Sequence, residues 1–213
     1  MFTGIVTACG RVTKADHVDG VTRLAVSVPS GYTKGLARGA SVAVNGVCLT
    51  AVEFDDRHIE FDVIAESLQR SNLSALGVDS AVNLERAARF GDEIGGHLLS
   101  GHVHTQAELI QRTEDGANVS MQLQIDGDWS RYVVTKGYIA IDGCSLTVGE
   151  VQDGRFWIHL IPETLRVTQL NGRVIGDRLN IEVDHQTQVI VDTVERYLSQ
   201  RDKVGMSMSE AKS

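Results

Sequence analysis

Two small antiparallel β-barrels, made by an internal duplication and followed by one α-helix, are what the sequence predicts. Three observations lead there. The hexapeptide Asn45-Gly46-Val47-Cys48-Leu49-Thr50 returns 97 residues later as Asp142-Gly143-Cys144-Ser145-Leu146-Thr147. Apolar and polar residues alternate with a period of two through short stretches bounded by Gly and Asp, the pattern of half-buried strands. One apolar stripe at helical spacing lies beyond both copies.

The duplication extends well past the hexapeptide. An offset of 97 also sets Thr3-Gly4-Ile5-Val6 on Ser100-Gly101-His102-Val103, and Leu24, Val26 and Val28 on Met121, Leu123 and Ile125. It sets Ser41-Val42-Ala43-Val44 on Tyr138-Ile139-Ala140-Ile141, and Ile64-Ala65-Glu66-Ser67-Leu68 on Ile161-Pro162-Glu163-Thr164-Leu165. Val82-Asn83-Leu84-Glu85 falls on Leu179-Asn180-Ile181-Glu182. Ordered matches at one long offset indicate two small domains rather than a solenoid.

Within each copy the strands follow from alternation. Ile59, Phe61 and Val63 point one way and Glu60 and Asp62 the other; Phe156, Ile158 and Leu160 repeat the pattern. Asp19-Gly20, Asp115-Gly116 and Asp153-Gly154 supply turns, and the only prolines are Pro29 and Pro162. Roughly 85–95 residues of short strands favour a closed barrel, because closure removes exposed edges. Short helical turns are expected over 65–76 and 162–170. The division is 1–88 for the first barrel, 89–97 for a glycine-containing linker, 98–185 for the second barrel, 186–202 for a helix and 203–213 for a disordered tail. In that helix Ile190, Val194, Tyr197 and Leu198 make the stripe. It would pack either on its own barrels or on another copy; its position beyond both duplicated units favours self-association.

Composition narrows the function. The 213 residues carry a formal net charge of −8, with a pI near 5.3, which argues against a nucleic-acid or anionic-membrane surface. Cys9, Cys48 and Cys144 are odd in number and without metal-ligand spacing, so a reducing cytoplasm is expected and a disulfide framework is not. There is no long apolar run, and the start, Met1-Phe2-Thr3-Gly4-Ile5-Val6, does not read as a signal peptide.

Two like domains suit two like ligands. Thr50 and Thr147, Cys48 and Ser145, Glu66 and Glu163, and Ser67 and Thr164 are equivalent polar positions. Together they fit a flat hydrogen-bonding heterocycle with a polyhydroxylated tail, although any one Ser or Thr is more simply a turn residue. The differences also matter: Ile5 stands opposite His102, Cys48 opposite Ser145, and Ser41 opposite Tyr138. His102 is a candidate for proton exchange near neutral pH. Cys48 reads as a nucleophile, a polarising neighbour or a small buried apolar group, while Cys9 and Cys144 read as structural. His97, His102 and His104 lack a cysteine or carboxylate partner in sequence, so no metal site is expected.

The motifs "MFTGIV", "NGVCLT", "FGDEIGGHLLSGHV", "KGYIAIDGCSLTV", "IPETL" and "VDTVERYL" resemble riboflavin synthase of the α-chain type, over residues 1 to about 200. The resemblance implies two six-stranded Greek-key barrels, a C-terminal helix that makes a homotrimer, and no cofactor. It implies dismutation of two molecules of 6,7-dimethyl-8-ribityllumazine to riboflavin and 5-amino-6-ribitylamino-pyrimidinedione by four-carbon transfer, at a site between unlike barrels of neighbouring protomers. An association with lumazine synthase is among the partners it implies. Its ligand-contacting segments map onto Gly4, Ile5 and Val6; Cys48, Leu49 and Thr50; and Asp62, Val63, Ile64, Ala65, Glu66 and Ser67. In the second half they map onto Gly101, His102 and Val103; Lys136; Ser145, Leu146 and Thr147; and Ile161, Pro162, Glu163, Thr164, Leu165 and Arg166. Phe2, Ser41 and Asp184 match further positions tied to activity, with His102, Cys48 and Ser41 as the catalytic candidates. Ser67 departs from a common threonine, and Val47 stands where a second cysteine can occur. A lumazine- or flavin-carrying antenna protein of the same fold is the main rival; a purely structural double barrel leaves the matched polar sets unexplained.

Overall fold

The structure is a computed structural model that describes residues 1–18 and 21–210. The turn expected at Asp19-Gly20 and the last three residues of the expected tail lie outside the described residues. The first half contains β1 (Ala8–Val18), β2 (Val21–Ser27), β3 (Ser41–Val44), β4 (Val47–Phe54), β5 (His58–Ile64), α1 (Ala65–Arg70) and β6 (Ala81–Arg86). The second contains β7 (Thr105–Asp115), β8 (Asn118–Ile125), α2 (Gly127–Ser130), β9 (Tyr138–Ile141), β10 (Cys144–Gln152), β11 (Arg155–Leu160), α3 (Pro162–Val167) and β12 (Arg178–Val183). A last helix, α4, spans His185–Glu210.

Both halves close into antiparallel barrels, β1-β2-β5-β4-β3-β6 and its copy β7-β8-β11-β10-β9-β12. In each, three hairpin-connected strands are followed by a fourth that returns beside the first, which is Greek-key connectivity. The irregularities are duplicated too. Register shifts between Val12 and Lys14 and between Ala51 and Glu53 recur between Leu109 and Gln111 and between Val148 and Val151. Such bulges bend strands enough to close a small barrel. Inward residues fill the lumen: Val12, Leu24, Val26, Ile59 and Phe61 in one barrel, Leu109, Met121, Leu123, Phe156 and Ile158 in the other. The interior of each barrel is thus packed with apolar side chains, and the polar residues matched between the copies lie on the outer walls.

The barrels meet along a polar seam on their pseudo-twofold axis. Gly46 and Gly143, both in the left-handed region at φ +79° and +78°, abut there. A Cβ on Gly46 would lie 2.7 Å from the Gly143 nitrogen, so only glycine fits at this contact. Around them the bonds obey the duplication. Asn45 Oδ1 accepts from the Asn83 N–H as Asp142 Oδ1 does from Asn180. Asn83 Oδ1 accepts from the Gln169 N–H as Asn180 Oδ1 does from Asn72. Symmetry breaks at the buried Asp142, which stands in place of Asn45. Its Oδ2 accepts from Gln169 Nε2 at 2.5 Å and Arg173 at 2.9 Å, and its Oδ1 also takes Asn72 Nδ2 at 2.8 Å. Burial pushes this carboxyl up, opposed first by Arg173. Since every partner is a donor, the carboxylate form satisfies the seam.

Where sequence and structure differ, the reasons are local. The expected turns over 65–76 and 162–170 are each a helix, α1 or α3, followed by a separate single turn at Asn72–Ala75 or Gln169–Gly172. Ser71 and Thr168 divide them by accepting the N–H two residues on. α2 is one turn too short to show periodicity. The backbone over 203–210, expected as a disordered tail, continues α4, because Lys, Met, Ser and Glu contain no helix breaker beyond Gly205. α4 begins under an Asp184 cap that accepts the Thr187 N–H at 2.9 Å. Val191 packs against the second barrel, and Asp192 accepts from the Tyr132 hydroxyl at 2.5 Å. The stripe of Ile190, Val194 and Tyr197 stays exposed at 63%, 51% and 65%. It therefore does not pack on its own barrels.

Asp142→Ala should strip the seam of the carboxylate that meets Arg173, Gln169 and Asn72, leaving Arg173 only its longer pair with Asp177. A loss of about 3–5 kcal/mol is expected, read as a lower urea midpoint, whereas an exposed pair such as Lys14–Asp16 should be worth less than ~1 kcal/mol when broken.

Candidate functional site

The site begins with two short segments that leave their own barrels. Phe2 pairs with Leu99 by an antiparallel bridge, so the leads into the two halves lie side by side. From there each crosses to the opposite barrel. The Gly4 carbonyl accepts from the Ser145 N–H and the Gly101 carbonyl from the Cys48 N–H, both at 2.8 Å. Val6 is buried in the core of the second barrel, and Val103 packs on the core of the first. Gly4 and Gly101 have φ of +74° and +81°, and a Cβ on either would strike Ser145 or Cys48 within 2.6 Å. The invariant arrangement of the two copies is therefore an exchange of lead segments.

Two carboxylates hold the exchange. Glu85 accepts from the Thr3 N–H at 2.6 Å, the Thr3 hydroxyl at 2.8 Å and the Gly4 N–H at 3.1 Å. Glu182 does the same for Ser100 and Gly101, at 2.7, 2.8 and 3.0 Å. Burial raises both carboxyls, and those same donors oppose it. The sequence showed these glutamates only as part of a matched strand; a repeated acid ending an otherwise apolar strand was the signal available.

The Cys48 site opens as a cavity of about 520 Å³ lined by Cys48, Ile64, Glu66, Ser67, Arg70 and the segment Gly101 to His104, with Val47 and Ser71. That is within the range of small-molecule sites. Strand alternation sorts the expected residues. Cys48 and Thr50 on β4, Asp62 and Ile64 on β5, and Ser41, the cross-strand neighbour of Thr50, face outward. Leu49 and Val63 face the core, so only their backbone can reach a ligand. Ile64 is 57% exposed, an apolar platform for a ring face. Asp62 is engaged by Arg23 at 2.9 and 3.1 Å, and Glu66 by Arg70 at 3.3 Å. Ala65 opens α1.

His102 and His104 both line this cavity, as residues two apart in extended backbone can. His104 Nδ1 accepts the Val183 N–H at 3.2 Å and its ring lies on Trp129, centroids 4.8 Å apart. Burial first, then the charges of His102, His185 and Arg70, hold it below the ordinary histidine value. His104 is thus neutral and structural, whereas His102 is exposed at the rim.

The second site repeats the first on the other barrel: Ser145 and Thr147 on β10, Ile161 at 60% exposure, α3 from Pro162, and the lead Gly4, Ile5 and Val6. Glu163 is held by Arg166 at 2.5 and 2.9 Å, which keeps its carboxyl below the usual range. Leu146 and Leu165 pack against the barrel core. Lys136 sits at φ +67° where the first copy has Gly39, both donating to the equivalent carbonyls of Val148 and Ala51. A lysine in the left-handed region is strained by about 1 kcal/mol, a cost found where a side chain has work to do. Phe2, by contrast, is buried with Leu99 and braces Gly101. Cys144 is buried and pushed up to about 12, which makes it inert, and burial also raises Cys9. Among the described residues no three His, Cys, Asp or Glu are grouped to hold a metal ion, and no helix is long and apolar enough to cross a membrane. A wider groove of about 750 Å³ lies between the barrels beside Arg173 and Gln169, away from the repeated outer-wall residues.

Comparison with known proteins finds the same duplication. The lumazine binding domain family matches this chain twice, at 3–87 and 100–184. The riboflavin synthase of Escherichia coli strain K12 is 48% identical over 204 residues, covering 95% of each chain. That of Mycobacterium tuberculosis strain H37Rv is 42% identical, covering 93% of this chain and 98% of its own. Among solved structures, LumP complexed with 6,7-dimethyl-8-(1'-D-ribityl) lumazine superposes with a TM-score of 0.79 at 25% identity, covering 87% of this chain and all of that one. LumP complexed with riboflavin gives 0.80 at 26%.

Cutting either anchor should disable one site only. Glu182→Ala should free Gly101–Val103 and weaken ligand at the Cys48 site, while Glu85→Ala should do so at the Ser145 site. Each is expected to cost about 3 kcal/mol of stability, and titration calorimetry of each variant should show one of two binding events retained.

Proposed function

The chain belongs to the riboflavin synthase family, and from that premise we propose how its two sites share one reaction. It dismutates two molecules of 6,7-dimethyl-8-ribityllumazine, one giving a four-carbon unit to the other, to yield riboflavin and 5-amino-6-ribitylamino-pyrimidinedione. The two products together contain the atoms of the two substrates, so no outside oxidant or reductant enters the balance. The observation that supports this reading over a carrier is that both sites keep a full wall, a lead segment and an anchoring glutamate. An antenna protein needs one.

In this reading each site binds one lumazine on an outer wall. Ile64 and Ile161 offer ring faces; Thr50, Thr147, Ser67 and Thr164 offer hydroxyls; Glu66 and Glu163 hold the ribityl chains. The 7-methyl group is acidic because its carbanion delocalises into the ring, and C7 of the partner accepts a nucleophile. His102 at the rim of the Cys48 cavity carries the proton, and Cys48 or Ser41 polarises the ring or its attacking water. Most of the acceleration comes from holding the rings together, for which effective molarities can reach about 10⁵ M.

Within one chain the walls belong to different barrels, so stacking two rings calls for a second copy. The bare stripe on α4 supports a homotrimer, with the first-barrel site of one protomer facing the second-barrel site of the next. Covering each such side chain gains about 1.5–3 kcal/mol. A soluble cytoplasmic setting completes the reading, with lumazine synthase as an associated source of substrate.

Incubation of the purified chain with the lumazine should produce riboflavin's absorbance; binding without conversion would support the carrier instead. His102→Gln should lower turnover at least tenfold while leaving lumazine affinity largely intact, and unchanged turnover would remove His102 from the proton path. Ile190→Asp with Val194→Asp should shift sedimentation from trimer to smaller species and reduce turnover with it.

A further inference from the structure

His97 sits in the linker, outside every residue assigned above to binding or chemistry, yet it is buried against the second site. Its Nδ1 lies 2.7 Å from the Ser145 Oγ. Its ring stacks on Tyr138, with centroids 5.1 Å apart and planes at 18°. Tyr138 is the cross-strand neighbour of Thr147, and Ser145 pairs with Ala140 on the same two strands. The imidazole is therefore clamped between two outward-facing residues of one wall.

The chain before it is shaped for this placement. A Cβ on Gly96 would lie 2.3 Å from the Thr3 carbonyl oxygen and 2.7 Å from Ser145 Cβ, so glycine alone lets the linker lie flush on the wall. One residue earlier, a Cβ on Gly95 would lie 3.4 Å from Ile5 Cγ1, so the linker also runs beside the lead segment. A single stretch of linker thus backs both the lead segment and the wall of the Ser145 site. Among the described residues no histidine is hydrogen-bonded to Cys48, the equivalent wall residue of the other site.

We propose that His97 is a positioning residue that turns the Ser145 hydroxyl into a hydrogen-bond donor toward the lumazine bound there, and so gives the two substrate sites different chemistry. The tautomer follows from burial. Nε2 is enclosed and has no partner among the described residues, and an enclosed N–H without an acceptor costs more than an enclosed lone pair. The proton therefore sits on Nδ1 and is donated to Ser145 Oγ. With one lone pair engaged, the serine hydrogen is free to point outward. Burial lowers the His97 pKa, with Asp184 opposing, so the ring is neutral at physiological pH. A fixed donor at this wall favours the ring that accumulates negative charge on losing its 7-methyl proton.

This inference rests on the two-lumazine reading, and the test separates the two. The side-chain amide nitrogen of asparagine can occupy the place of Nδ1 and donate to Ser145; alanine cannot. Full-length wild type, His97→Ala and His97→Asn would be titrated with 6,7-dimethyl-8-ribityllumazine and assayed for riboflavin. Expected for His97→Ala is about tenfold weaker binding at one of two sites, the other unchanged, and turnover reduced at saturation; His97→Asn should restore both. If wild type forms no riboflavin, the functional reading fails before His97 is at issue. If wild type is active and His97→Ala matches it in both readouts, the positioning role is wrong. It is equally wrong if His97→Asn stays folded yet behaves like His97→Ala, or if His97→Ala weakens both sites alike.

Discussion

Two buried carboxylates, each holding three donors of a crossing segment, decide what this molecule can bind. Glu85 and Glu182 keep the lead of each half on the wall of the other. Without them Gly4 and Gly101 would keep only their carbonyl bonds to the Ser145 and Cys48 N–H groups. A carboxylate is suited to this because it accepts several N–H and O–H groups at once. Desolvating it is tolerable only because all three donors are satisfied together. Each site is consequently composite, and neither barrel holds a complete one.

The seam sets the relative placement on which this exchange depends. Gly46 and Gly143 let the turns touch, and the ring of Asn45, Asn72, Asn83, Gln169 and Asn180 pairs every buried amide in a directional way. Apolar packing alone would tolerate sliding of one barrel on the other; a hydrogen-bonded ring does not, since any shift strands several polar groups at once. The replacement of Asn45 by Asp142 in the second copy, with Arg173 to meet it, breaks the symmetry without breaking the pairing.

Much of this was legible in the sequence, and the limits are physical. A constant offset exposed the duplication because both copies must solve the same closure problem with the same bulges and turns. Period-two alternation placed the strands, and their outward positions carried Cys48, Thr50, Ser145 and Thr147 to the surface. Leu49 and Val63 were read together with them because a contiguous motif does not say which of its residues face inward. The exchange was not legible at all: Gly4 and Ser145 are 141 positions apart, and nothing in a linear pattern says that a lead segment crosses over. Nor was the seam, since a single Asn in a turn is more often a local cap. The continuation of α4 past Asp202 was hidden because a polar stretch without a stripe carries no helical period.

A dismutation asks for two sites alike enough to bind one compound and different enough to give it two fates. Duplication supplies the likeness directly. Core and seam also diverge, as Phe61 against Ile158 and Asn45 against Asp142 show, but only wall and lead positions can change what a bound ring meets. There the copies differ at Cys48 against Ser145, Ser41 against Tyr138, Ile5 against His102, and Gly39 against Lys136. Because apolar side chains pack each barrel's interior, the proposed sites lie on outer walls, open to a second molecule. Openness that would be a weakness in a carrier is a requirement here, since the ring bound on one wall must reach the ring bound on another.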